Sequence, residues 1–282
     1  MNSGRTITLS LPPFTKAVKW LILINAGMLL LVYVLGAISR QAAGAFQVAL
    51  SLIPVLVLRG WVFQLVTYSF LHEGFWHLAG NMFGLWMFGS QLEGAWGHRK
   101  FLEFYFYCVV GAGLTTIALS YTGLGGISPA TRTVGASGGV LGVLMAFGLI
   151  WGDSEIMLFP IPIRIRAKYF VAGLAFLTLL GSLGAASGRG ESVAYSAHLG
   201  GLLFGYLYVK FLPSRGIGFV ASERYFSVRN SYYRWKRKWA ARKFEVYMKQ
   251  HDRKVTFDEH GNYLPPEDDD KKNGGSKSGW VN

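Results

Sequence analysis

Six separate apolar stretches are the feature that most constrains how this chain can fold. They cover residues 17–38, 75–92, 101–121, 135–151, 169–185 and 194–212. A helix that crosses the hydrocarbon core of a bilayer needs about 20 mostly apolar residues. The composition agrees, because 51% of the 282 residues are hydrophobic and only 15% are charged. The sequence therefore predicts an all-α membrane protein built as a six-transmembrane-helix bundle.

The distribution of Lys and Arg predicts how these helices are oriented, because loops on the inner side of a membrane carry an excess of both residues. With the N-terminus inside, the inner segments of the bundle hold eight Lys and Arg and the outer segments hold four. An even number of spans returns the C-terminus to the same side. We therefore expect both termini in the cytoplasm.

The chain divides into four predicted segments. Residues 1–16 form an N-terminal cytoplasmic segment and residues 17–212 form the six-span domain. The tail beyond them is much more charged, since residues 213–282 hold 15 of the 28 Lys and Arg. Basic and aromatic side chains alternate over 213–257, which predicts a helix that either contacts anionic lipid or is simply solvated. The Pro-, Asp- and Gly-rich residues 258–282 predict disorder.

Polar side chains inside membrane spans are costly and need a reason, and four of those in the predicted spans form a group. His77 and Asn81 are four residues apart and share one face of the second span. Ser137 opens the fourth span, and His198 lies about one turn into the sixth. In the predicted orientation all four lie at a similar depth near the outer face, although single Ser and His residues in membrane helices also serve in packing.

Glycines accompany both the serine and the second histidine. They are Gly135, Gly138, Gly201 and Gly205. The first two flank Ser137, and the last two form a GxxxG motif one turn beyond His198. Small residues at this spacing let helix backbones approach closely. We therefore expect the fourth and sixth spans to bring Ser137 within hydrogen-bonding reach of His198.

This set of residues suits nucleophilic catalysis. A serine hydroxyl attacks well only when a base accepts its proton, and His198 is the candidate base. The oxyanion that forms needs fixed donors in a dry site, and His77 and Asn81 are the candidate donors. Since no acidic residue lies at this depth in any span, the sequence predicts a Ser–His dyad rather than a triad.

The motifs resemble those of the rhomboid family of intramembrane serine proteases. The resemblance rests on Gly135-x-Ser137-Gly138, Ala197-His198-x-x-Gly201-x-x-x-Gly205 and His77-x-x-x-Asn81. It covers about residues 14–212. It implies that Ser137 attacks, that His198 is the base and that His77 and Asn81 bind the oxyanion.

The resemblance also implies the partners and the setting. The expected substrates are single-span or multi-span membrane proteins, cut within or beside their transmembrane helices. The expected location is a bacterial inner membrane. Nucleic acid is not expected, because the basic tail carries no recognised binding motif.

Two positions depart from the pattern of many rhomboid proteases. Phe63-Gln64 stands where many members have Trp-Arg, and Leu141 stands where some have Tyr. Both leave loop geometry and substrate preference open. A third match, Glu93-x-x-x-Gly97, lies at the inner end of the second span and is interpreted as structural.

Other functions remain as alternatives. The main one is a rhomboid-like pseudoprotease that binds membrane proteins without cutting them, although such proteins typically lack the serine or the histidine, and both are present here. A metal site is not expected, because Cys108 is the single cysteine and His72 and His77 are five residues apart rather than the four of HExxH. No cofactor is expected either.

Overall fold

The computed structural model describes residues 12–122, 128–157, 164–186, 192–211, 217–251, 255–259 and 262–264. It divides into two compact units, with the boundary at Ile217. The first unit holds the six apolar stretches and the second holds the basic tail.

The first unit is almost entirely helical. Its helices are α1 Lys16–Ile38, α2 Arg40–Leu50, α3 Pro54–Leu58, α4 Gln64–Thr67, α5 Phe75–Gly84, α6 Ser90–Trp96, α7 His98–Thr122, α8 Ser137–Ile150, α9 Ala167–Ala186 and α10 Ser192–Phe211. A 3₁₀ turn, Tyr68–Phe70, follows α4, and a π-helical turn, Leu85–Gly89, joins α5 to α6. Strands β1 Glu155–Met157 and β2 Arg164–Arg166 pair antiparallel, with Ile156 opposite Ile165.

Each predicted apolar stretch is occupied by helix, but the helices differ in length. Within the described residues, α1 and α7 are long and apolar enough to cross a membrane by length and composition, whereas α8 and the 167–181 part of α9 are shorter apolar helices. The second stretch is divided into α5, the π turn and α6. Membrane crossing by all six therefore stays a prediction.

The connection between α1 and α5 is organised by one buried side chain, Gln64. Its Nε2 donates to the carbonyls of Val48 (3.2 Å) and Ala49 (3.1 Å), and its Oε1 accepts from the Ile53 N–H (3.1 Å). A buried amide with three main-chain partners fixes the paths of those segments. Gln64, one of the two residues that depart from the Trp-Arg pair of many rhomboid proteases, therefore stabilises the conformation of the connection.

The first helix is fixed to the second apolar stretch by a buried carboxylate. Glu93, on α6, is 5% exposed and accepts from the N–H groups of Ala17 (2.8 Å) and Val18 (2.9 Å) and from the Thr15 hydroxyl. The first N–H groups of a helix have no partner within the helix and favour negative charge. Glu93 therefore caps α1 from another helix, in agreement with its structural interpretation.

The second unit pairs one long helix with a small hairpin. Helix α11, Ile217–Gln250, is followed by β3 Thr256–Phe257 and β4 Tyr263–Leu264, which pair antiparallel. The Phe257 ring packs against Phe244, with ring centroids 6.2 Å apart. The helix ends at Gln250 rather than at residue 257, and Tyr263–Leu264 is a strand within the segment 258–282 for which disorder was predicted; residues 260–261 and 265–282 of that segment lie outside the described residues. Aromatic packing on the helix explains the difference.

We predict that Glu93→Ala destabilises the first unit by about 3 kcal/mol. The change leaves helix N–H groups buried without an acceptor, and hydrogen bonds to charged groups are worth about 1.5–3 kcal/mol each. Thermal unfolding in detergent measures the effect. The control is Glu155→Ala, which removes an exposed carboxylate and a weak contact to Arg164. Equal melting temperatures for the two variants would contradict the capping role.

Candidate active site

Ser137 is the first residue of α8 and is half-buried. The preceding turn depends on Gly135, whose φ of +121° lies in the region that favours glycine. The Gly135 N–H donates to the Tyr68 carbonyl (3.0 Å), which fixes this turn to the end of the α1–α5 connection. Ser137 therefore lies at the start of a helix, directly after a turn that requires glycine and is held by a hydrogen bond to Tyr68.

The His77 ring lies directly against this turn. A Cβ placed on Gly135 would be 2.9 Å from the Nε2 and Cε1 atoms of His77 and 3.7 Å from the Ser137 Oγ. The imidazole and the hydroxyl therefore border the same α-carbon, although they come from helices α5 and α8. Only a residue without a side chain leaves room for both.

Helices α8 and α10 touch through their backbones. A Cβ on Gly201 would collide with the Gly138 carbonyl oxygen, and one on Gly205 would lie 2.8 Å from the Gly142 Cα. Near the start of both helices, a Cβ on Gly138 would lie 3.5 Å from the carbonyl oxygen of Ala197. The two glycines of the GxxxG motif are thus placed where the helices approach most closely.

This contact places Gly138 and Ala197 together, and these are the chain neighbours of Ser137 and His198. His198 is half-buried, and its ring lies edge-on to Tyr195 at 6.2 Å between centroids. Within the described residues the serine hydroxyl and the imidazole are not hydrogen-bonded to each other. Catalytic hydrogen bonds are often long before substrate binds.

Asn81 is buried one turn after His77, and its side chain bonds back to its own helix. The Nδ2 donates to the His77 carbonyl at 3.0 Å. An amide carries two N–H groups, so this bond uses one of them. The bond also ties the two candidate donors to each other.

His72 was considered in the sequence only as a possible metal ligand, yet it belongs to this site. It is 6% exposed, and its ring meets the His77 ring edge-on, with centroids 5.0 Å apart and planes at 72°. Burial, and secondarily the nearby His77, lowers the pKa of His72 to about 4, so the ring is neutral at physiological pH. Nothing in the spacing of the loop 71–74 indicates this contact.

In the part of the chain that the structure describes, no group of three or more His, Cys, Asp or Glu side chains is arranged to hold a metal ion. Cys108 is buried in α7 against Gly142, about one and a half turns along α8 from Ser137.

Comparison with known proteins gives a family match. Residues 59–215 match the family model of the rhomboid domain. Rhomboid protein 1, mitochondrial, from Saccharomyces cerevisiae is 35% identical over 144 residues, covering 50% of this chain and 39% of the yeast protein. The human presenilin-associated rhomboid-like protein, mitochondrial, is 29% identical over 144 residues, covering 51% of this chain and 36% of that protein.

These comparisons correct the predicted location of the protein. The relatives are named as mitochondrial proteins, so the expectation of a bacterial inner membrane is wrong, and with it the cytoplasmic placement of the termini. The chain spans about two fifths of the length of the curated relatives it matches. All four candidate site residues, Ser137, His198, His77 and Asn81, fall within the matched region.

We predict that Gly135→Ala lowers the melting temperature clearly. A methyl group here would both strain a positive-φ backbone, at about 1–3 kcal/mol, and collide with the His77 ring. The matched control is Gly80→Ala on α5, where a methyl group would meet open space and alanine favours the helix. A melting temperature for Gly135→Ala equal to that of the control would contradict this account of the turn.

Proposed function

The chain belongs to the rhomboid family, and from this premise we propose that it is an intramembrane serine endopeptidase. It cuts transmembrane segments of membrane-protein substrates, single-span or multi-span, near the membrane face opposite to its two termini. Ser137 is the nucleophile and His198 is the base of a dyad.

The observation that carries this proposal is that the Ser137 hydroxyl and the His77 ring both lie next to Gly135. Because the Ser137 Oγ and the His77 ring flank one α-carbon, a carbonyl carbon attacked by the serine has its oxygen within reach of the imidazole. A donor at that position stabilises the charge that develops in the transition state. Asn81, tied to His77 through its amide, supplies the second side-chain donor.

The helix start adds main-chain donors. The first hydrogen bond within α8 runs from the Val140 N–H to the Ala136 carbonyl (3.0 Å), so the N–H groups of residues 137–139 have no acceptor inside the helix. They point from the positive end of the helix dipole toward the serine. The same helix therefore presents the nucleophile and part of the oxyanion site.

His198 acts as the base in this proposal. The backbone contact of α8 with α10 at Gly138 and Ala197 supports the assignment, because it places the neighbours of Ser137 and His198 together. A neutral imidazole accepts the serine proton and returns it to the leaving amine. A pseudoprotease is the weaker alternative, since both members of the dyad are present.

The bundle is proposed to span the membrane six times, as the apolar stretches predict. The outer surface of the first unit supports this, because large apolar side chains are exposed along two of its helices, which suits contact with lipid. They are Trp20, Leu23, Leu30, Leu31 and Val34 on α1, and Phe176, Leu177, Leu179 and Leu180 on α9.

We propose in addition that α11 contacts anionic lipid. Tyr232, Trp235, Trp239 and Val246 recur on one side of the helix and are exposed, and the hairpin packs at Phe244 on a different side. Residues 229–250 hold eight Lys and Arg and one Glu. A narrow aromatic stripe between cationic side chains suits a helix lying at a negatively charged membrane surface.

We predict that Ser137→Ala abolishes cleavage of a single-span substrate in detergent and labelling by a fluorophosphonate probe, with the melting temperature nearly unchanged. His198→Ala is equally inactive, and the double variant is no worse, because the two residues act as one unit. His77→Ala and Asn81→Ala keep measurable turnover, reduced about 10²–10³-fold.

The controls for this experiment are Ser120→Ala and His98→Ala, which change the same residue types outside the site. Both keep wild-type cleavage. Cleavage by Ser137→Ala near the wild-type rate would contradict the serine-protease proposal. A binding-only protein would give no cleavage and no labelling even in the wild type.

For the tail, we predict that trypsin cuts the α11 region more slowly in nanodiscs of anionic lipid than in zwitterionic ones. The double change Trp235→Ser and Trp239→Ser removes most of this protection, and so does high salt, because both aromatic insertion and charge attraction are needed. Tyr233→Ser, off the stripe, is the control. Equal digestion in the two lipids would contradict the contact.

A further inference from the structure

His72 contacts the His77 ring and also lines a polar cavity. The cavity has a volume of about 230 Å³, and its polar wall is formed by Tyr33, Gln47, Glu73 and Arg132 in addition to His72. Arg132 donates to the Gln47 Oε1 at 2.8 Å. His72 therefore borders both a candidate oxyanion donor and a space that is lined by charged and amide groups.

If His72 only filled space, burying its ring nitrogens would lower the stability of the fold without any benefit. Both ring nitrogens are buried, and neither makes a hydrogen bond of normal geometry among the described residues, although the Phe70 backbone lies close enough to affect the pKa of the ring. Burying a polar group without a partner costs free energy, and an apolar group of the same shape avoids that cost. Packing alone would favour phenylalanine here, so the imidazole nitrogens need another explanation.

The contact with His77 offers that explanation. The two rings meet edge-on at 5.0 Å between centroids. An imidazole carries an N–H and a lone pair in its ring plane, so two imidazoles in contact interact through ring dipoles that a phenyl ring lacks. Such a dipole favours one orientation of the His77 ring, and the orientation of a donor decides how well it meets a developing oxyanion.

We infer that His72 is a positioning residue that holds the His77 ring in its productive orientation. This inference rests on the proposed function, in which His77 donates to the oxyanion. His72 itself touches no reacting atom in this scheme. Its nitrogens remain in the site because they orient the donor.

The test is His72→Phe, which keeps the ring and removes both nitrogens. We expect the melting temperature to stay the same or to rise, because the buried unpartnered nitrogens are gone. We expect kcat for a single-span substrate to fall about 10-fold or more, since a misplaced catalytic group costs rate strongly. KM should stay within about twofold, because substrate binding is not touched.

The same substitution in a His77→Ala background shows whether the effect passes through His77. There we expect His72→Phe to change the residual kcat by less than about twofold, since two residues that act through one contact are not additive. Val32→Ala, which enlarges the same cavity from α1, is the control for loosened packing. It lowers the melting temperature while kcat stays within about twofold.

Three results would overturn the inference. These are an unchanged kcat for His72→Phe, a melting temperature that falls together with kcat, or an equal loss of kcat with and without His77. Ser137→Ala, run in parallel, separates this inference from the proposed function. If Ser137→Ala is inactive and His72→Phe is normal, only the role of His72 fails. If Ser137→Ala still cleaves, the protease proposal itself fails.

Discussion

The backbone contact between α8 and α10 is the constraint on which the candidate site depends. At Gly138 with Gly201 and at Gly142 with Gly205 there is no room for any side chain. Because a membrane offers little hydrophobic drive between helices, close van der Waals contact of this kind is a main source of association. It brings together two parts of the chain that are 63 residues apart, and it fixes the position of α8 along α10.

Most of this contact could be predicted from the sequence, because it follows from local patterns. The serine lies at the start of an apolar stretch, the glycines recur in phase with His198, and His77 and Asn81 share a helix face. Periodicity and side-chain size carry that information directly. The family comparison covers the same residues, 59–215.

The features that were not predicted depend on contacts between distant residues without any repeating pattern. Gln64 bonds three main-chain groups 11 to 16 residues away, and a polar residue in an apolar loop gives no sign of such partners. The contact of His72 with His77 depends on the path of the loop 71–74 rather than on spacing. The hairpin after α11 depends on the packing of the Phe257 ring against Phe244. Each is a tertiary interaction that a single sequence leaves open.

The hydrogen bonds of Gln64 separate the shape of the α1–α5 connection from its surface chemistry. All three partners are main-chain groups, two carbonyls and one N–H, which every residue type except proline supplies, so these bonds do not depend on the side chains at positions 48, 49 and 53. Next to Gln64, the side chains of Trp61, Val62 and Phe63 are 40%, 62% and 47% exposed. In a chain that diverges from its relatives, these three positions are free to acquire new apolar or polar character while the loop keeps its path. The hydrogen bonds of Gln64 thus set the path of the loop, and the exposed side chains beside it set the chemistry of its surface.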